Sequence, residues 1–223
     1  MSEFCFTPSI RVTRNNLWRP DAVTKTKSGK VVGNDKFKVQ GFFDPTTPEA
    51  KAFFAAAKTA LLDKFPGADE TEIKAALSAS LPRASALRDR ARAKAKREGK
   101  DADTAAAWAV PEGIPDEFHR VSASTAYGPV EVVNRRGASV KEPEFFPGVW
   151  AIVQVTPNPF TDEKENEARI SFYVNSALLD KPGERLKTPK GAAVPAKAAF
   201  AHIIGGTTDA DPFADGPDDD IPC

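Results

Sequence analysis

VWAIVQVTP at residues 149–157 and RISFYVNSALL at residues 169–179 decide the fold. In the first, Val149, Ala151, Val153 and Val155 alternate with Trp150, Ile152, Gln154 and Thr156. In the second, Ile170, Phe172 and Val174 alternate with Arg169, Ser171, Tyr173 and Asn175. A period of two marks a strand with one apolar face and one more polar face. The polar stretch NPFTDEKENEA (158–168) links the two, so they read as a hairpin.

The same period appears upstream. FHRVSASTA (118–126) is a short strand candidate, and Tyr127-Gly128-Pro129 turns it into VEVV (130–133), with NRRG as the next turn. Nearer the start, SIRVTR (9–14) alternates. SGKVVGND (28–35) is a glycine-rich turn region. DKFKVQGFFD (35–44) alternates again, with Phe37, Val39, Gly41 and Phe43 on one face and Lys36, Lys38 and Gln40 on the other. Pro182-Gly183 closes the folded part, with partial order expected to about residue 204 and disorder beyond.

Between these strand regions the period changes to that of a helix. At Thr46-Thr47-Pro48-Glu49 a threonine cap, proline in the first turn and an early Glu predict a start there and a helix to about Phe65. Asp69 and Glu72 form a capping-box pattern for a second helix, which Pro82 stops. Residues 83–107 differ in kind. Seven basic residues and a single acid, Asp89, fall between Arg83 and Arg97, and large apolar residues are scarce. That composition suits a solvated helix or a basic loop inserted at the surface and leaves little to pack a core. Strands, then helices, then strands, with about five short strands, fit a mainly β fold: a small closed barrel with a helical insertion at about 46–110. Periodicity alone leaves an OB barrel and other small α+β folds open.

Charge supplies the functional signal. The 223 residues hold 31 basic and 31 acidic side chains. Six aspartates and no Lys or Arg lie in residues 207–223. The rest of the chain keeps all 31 basic residues and 25 of the acidic ones, a surplus of six. A basic body attracts polyanions, and an acidic tail is a common interaction arm. No segment is long and apolar enough to span a bilayer, and the N-terminus lacks the apolar core of a signal peptide, so the expected location is the cytoplasm. Cys5 and Cys223, near opposite ends, read as free thiols, and with His119 and His202 they provide no zinc-type spacing. There is no GxxxxGK[ST] and no HExxH. Neither catalysis nor a cofactor is expected.

The last six residues, Asp218, Asp219, Asp220, Ile221, Pro222 and Cys223, resemble the DDDIPF tip of bacterial single-stranded DNA-binding proteins. The resemblance implies an acidic arm that docks on basic rims of partner proteins, with Cys223 standing where that family has its apolar anchor, Phe. RVTRNNLWRPDAV (11–23), GNDKFKVQGFF (33–43), GPVEVVNRRGASV (128–140), FFPGVWAIVQVTPNPF (145–160) and ARISFYVNSALLDKPGERL (168–186) resemble, in order and spacing, phage single-stranded DNA-binding proteins of the T7-type OB group. That resemblance spans most of residues 9–187 and departs from the pattern at the basic stretch 83–107.

It implies an OB-type domain over residues 1–204 and a disordered partner-recruiting tail over 205–223. It further implies action in phage DNA replication, recombination and repair, in the bacterial host's cytoplasm. The partners would be single-stranded DNA and a polymerase, helicase or nuclease. T7-type relatives dimerise, so a homodimer is open. Single-strand binders need a positive groove for phosphates and aromatic faces for stacked bases. The non-core faces of the strands supply Trp150 and Tyr173 for stacking, and Lys36, Lys38, Arg120 and Arg169 for phosphates. Arg88, Arg90 and Arg92 of the basic stretch are further candidates. Phe37, Phe43 and Phe172 belong to the core. A strand-annealing mediator of the same fold, or a protein-binding phage adaptor, would satisfy the same patterns.

Overall fold

The computed structural model describes residues 3–20, 24–25, 31–32 and 36–186. Apart from Val31–Val32, the glycine-rich turn region expected at 28–35 lies outside these residues, as do the order expected between 187 and 204 and the acidic tail. In chain order the strands are β1 (Cys5–Phe6), β2 (Ile10–Asn16), β3 (Thr24–Lys25), β4 (Val31–Val32) and β5 (Phe37–Phe43). Four helices follow: α1 (Pro48–Lys64), α2 (Glu70–Ser80), α3 (Ala84–Arg97) and α4 (Ala102–Ala109). The chain then returns to strands with β6 (His119–Thr125), β7 (Glu131–Asn134), β8 (Trp150–Asp162) and β9 (Glu167–Lys181).

Seven strands form one sheet in the order β1-β8-β2-β5-β6-β9-β7, and β8 also pairs with β9. The neighbours of β8, followed through β2, β5, β6 and β9, therefore lead back to β8. The pairs β8–β2, β2–β5, β5–β6 and β8–β9 are antiparallel, and β6–β9 is parallel. The decisive hairpin is longer than its sequence suggests. Most of the link 158–168 extends the two strands, with Asp162 opposite Glu167 and Asn166 at φ 52° making the turn. The polar residues there belong to exposed strand ends and not to a loop.

Alternation fills the interior of this ring. Ile10, Val12, Val39, Phe43, Val121, Ala123, Val153, Phe172 and Val174 are buried together. Helix α1 adds Phe53, Ala57 and Leu61, whose three- and four-residue spacing puts them on one stripe. Its start follows the expected chemistry: the Thr47 hydroxyl accepts from the Ala50 N–H, with proline in the first turn. The Asp69–Glu72 capping box is present at the head of α2.

Residues 83–107 correct the sequence reading. They form two packed helices, joined by a short turn, and they do bury a small core. Ala84 and Leu87 from α3 close over Phe42, with Val110 and Ile114. Small alanines let the helices approach, and the missing bulk comes from Phe42, which faces outward from β5, and from the segment after α4.

His119 marks the seam between sheet and helices. Its ring lies 5.3 Å from that of Phe54, and Nδ1 is 2.7 Å from the Leu81 carbonyl oxygen, which accepts from the neutral Nδ1–H tautomer. Burial, and more weakly the nearby Arg83, push its pKa below the ordinary 6.5, against the opposing pull of the Leu81 bond. The unfolded chain therefore binds the proton more readily. His119 costs no stability above about pH 6.5, and stability is lost as pH falls from there through the lowered folded value. Urea titrations at pH 7.5 and 5.5 should show a fall in midpoint that is smaller in His119→Gln. An equal fall in both proteins would remove His119 as the cause.

Candidate nucleic-acid interface

The register lines up one outer face across β8, β2, β5 and β6. Trp150 pairs with Arg11, Arg11 with Phe42, and Phe42 with Arg120. Their chain neighbours Ile10, Val12, Val121 and Ala151 point into the core, so these four residues point away from it; Phe42 is covered by α3 and the segment after α4, which leaves Trp150 and Arg11 as the open end of this row. A bulge between Val12 and Arg14 shifts the next residues, and the second row reads Arg14, Gln40, Ser122. The third reads Asn16, Lys38, Ser124. None of the residues in these rows is acidic. Gly41 makes the approach of β2 possible, because a Cβ there would stand 2.8 Å from the Arg11 carbonyl oxygen.

Trp150 is half-buried and sits among cations. The Lys181 ammonium is 4.8 Å from its ring centroid, and the Arg11 guanidinium carbon is 5.9 Å away. Both are cation–π distances. The Arg11 Nε is buried and has no hydrogen-bond partner among the described residues. Tyr173 reaches the same face from the other side. Ala123 pairs in parallel with Phe172, both inward, so one step along each strand Ser124 and Tyr173 are both outward. The Tyr173 side chain is well exposed, at 43%.

The remaining sequence candidates divide. Lys36 is half-buried one residue before β5, on the same alternation as Lys38. Arg120 is half-buried, and its pKa is lowered first by that burial and then by the nearby Arg90 guanidinium. Arg169 lies away from this face. The Ile170 N–H is taken by the Ser80 hydroxyl of α2, so β9 has left β6 there. The Arg169 side chain, 17% exposed, is ion-paired with Glu165 and Glu167. In the insertion, Arg88 is held by Asp116 and the Ile114 carbonyl and fastens α3 to the segment after α4. Arg92 pairs with Asp89 at 3.9 Å and Asp103 at 3.4 Å. Arg90 is exposed and, among the described residues, has no ion-pair partner. The tip residues 218–223 lie outside the described residues.

Sequence reasoning missed Arg11, Arg14 and Lys181. The alternation of SIRVTR held the signal for Arg11. The bulge that turns Arg14 outward, and the strand end that carries Lys181 to Trp150, leave no local trace. Elsewhere, burial raises the Cys5 thiol to about 11, which leaves it protonated and unreactive at neutral pH. Among the described residues no group of His, Cys, Asp and Glu is arranged to hold a metal ion, and no helix is long and apolar enough to cross a membrane.

No protein-family model and no curated protein matches the chain. Solved structures do. The single-stranded DNA-binding protein from bacteriophage Enc34 aligns over 88% of this chain and 89% of its own, at 13% identity and a TM-score of 0.52. The same phage protein in complex with single-stranded DNA aligns over 82% of this chain and 88% of its own, at 12% identity and a TM-score of 0.50. The single-stranded DNA-binding protein gp2.5 encoded by bacteriophage T7 aligns over 86% of this chain and 97% of its own, at 11% identity and a TM-score of 0.44. The structural neighbours of this chain are phage single-stranded DNA-binding proteins, and its fold is that of the Enc34 protein.

Proposed function

We propose that the chain binds single-stranded DNA without sequence preference, through the outer face of an OB-type five-stranded barrel made of β2, β5, β6, β9 and β8. The observation that carries this reading is the acid-free outer face, where Trp150 and Tyr173 flank Arg11, Arg14, Lys38 and Arg120. Stacking on aromatic rings tolerates any base, and the cations between the rings follow the phosphates. A base that stacks on Trp150 displaces Lys181 or Arg11 from the ring, and either cation is then free to meet a phosphate. In this role the protein coats and protects exposed strands during phage replication, recombination and repair. The fold of the Enc34 protein, itself solved with single-stranded DNA, supports the reading.

Anisotropy of a labelled dT oligonucleotide, against the matching duplex and at two salt concentrations, tests it. Strong single-strand preference is expected, with log K falling against log salt by about 0.7 per phosphate contact. Equal or absent binding to both would favour a protein-binding adaptor instead.

The acidic tail completes the proposal. Residues 207–223 carry six of the chain's aspartates, and the body carries the matching surplus of positive charge. We read the tail as a competitor for the basic face that is released to a polymerase, helicase or nuclease when DNA arrives. Deleting residues 207–223 should tighten oligonucleotide binding at low salt and have little effect at high salt, where such attraction is screened. Unchanged or weaker affinity would rule out competition.

A further inference from the structure

Two exposed features of the α3–α4 insertion remain unused by the barrel face. Arg83, Arg90 and Arg97 recur at seven-residue intervals, two helical turns, so they form one stripe along α3 and its cap. Among the described residues none of the three is ion-paired with a carboxylate. The second feature is Trp108 on α4, 55% exposed although tryptophan is among the most apolar side chains.

The two lie on the same side of the helix pair. Helix α3 turns Ala84, Leu87 and Ala95 inward, and Arg90 and Arg92 flank that buried stripe on opposite sides. Helix α4 turns Ala106 inward with Ala109 beside it, and Asp103 and Trp108 flank that stripe on opposite sides. Arg92 meets Asp103 at 3.4 Å, which joins one pair of flanks. The other pair, carrying Arg90 and Trp108, therefore faces together. This flank adjoins the barrel face. The N–H of Arg120 donates to the Pro82 carbonyl, one residue before the stripe begins, and Arg83 bridges to His119. Arg90 is near enough to Arg120 to depress its pKa. Like charges held together are costly for a chain to keep and are relieved by an anion.

We infer that the α3–α4 hairpin is a second contact surface for the same DNA strand, with Arg83, Arg90 and Arg97 following its phosphates and Trp108 stacking on one of its bases. This rests on the single-strand-binding reading above and extends it. The strand leaves the barrel face at Arg120 and runs along α3. The arginine stripe spans about 21 Å at 1.5 Å per residue, so only an oligonucleotide longer than the barrel face can hold reaches it.

The experiment uses the full-length chain and labelled dT oligonucleotides of increasing length. Its two variants are Trp108→Ala and the triple Arg83→Gln, Arg90→Gln, Arg97→Gln, each checked by circular dichroism for the native fold. Trp108→Ala is expected to weaken binding of long oligonucleotides about 5- to 150-fold and to leave the shortest bound ones unaffected. The triple variant is expected to flatten the slope of log K against log salt by about 2 for long oligonucleotides. Wild-type affinity and slope in both variants, at every length, would overturn the inference while the barrel reading stands. A wild-type chain that binds no single-stranded DNA would overturn both.

Discussion

Trp150→Ala is expected to lower the affinity for a dT oligonucleotide about 5- to 150-fold, the effect of losing one stacked base at roughly 1–3 kcal/mol. The ring sits beside Arg11 at the open end of its row, so the loss falls on the proposed path of the strand. Trp150→Phe keeps a π-face and should recover most of the affinity, whereas a leucine of similar bulk should not. Equal affinities for the leucine and phenylalanine variants would mean that Trp150 only packs, and would move the base platform to Tyr173. Lys181 and Arg11 both approach the indole, so Trp150→Ala also frees two cations. A steeper salt dependence of the residual binding is therefore expected alongside the weaker affinity.

Phe53→Ala is expected to destabilise the fold by about 3–5 kcal/mol, the range for a fully buried phenylalanine cut back to a methyl group. Phe53 is 1% exposed, and its ring meets those of Phe43 at 5.9 Å and Phe172 at 5.1 Å. It is the side chain by which α1 enters the ring of strands, touching β5 and β9 together. Domains of this kind hold about 5–15 kcal/mol in all, so the variant forfeits at least about a fifth of the total. Urea denaturation followed by far-UV circular dichroism gives the number. A loss under 1 kcal/mol would show that the helix can repack and that Phe53 does not fix α1 against β5 and β9.

The hairpin and the first two helices were legible because their causes are local. Alternation is a property of neighbours in sequence, and Thr47, Asp69 and Glu72 cap within three residues. The assignment of Phe37, Phe43 and Phe172 to the core followed from the same alternation. The insertion was misread because its core is borrowed. Phe42 is 40 or more positions from the helices that cover it, and nothing in 83–107 announces it. Charge was legible in quantity but not in use. Arg88, Arg92 and Arg169 look like Arg90 in sequence, yet each is neutralised by carboxylates that only folding brings near. Trp108 passed unnoticed for the opposite reason. In sequence it is an apolar residue in an alanine-rich stretch, and only the fold leaves it in water.

The closed circuit of strands carries a consequence for synthesis. Thr7, beside β1, exchanges hydrogen bonds with Val153 of β8, 146 positions later. As the chain leaves the ribosome, the free edges of β1 and β2 must wait for β8 while the intervening chain is made. At roughly 5–20 residues per second that wait lasts on the order of ten seconds. Unpaired edges are where nascent chains stick to one another, and contacts this distant also close slowly. Of the chain made before β8, the α3–α4 pair is packed chiefly on itself, whereas α1 and α2 lie mainly against β8 and β9, so α3 and α4 can form first. Fragments that stop before β8 should collect as aggregates, and the full-length chain should gain more from slowed translation or cooler expression than a helical protein of the same length.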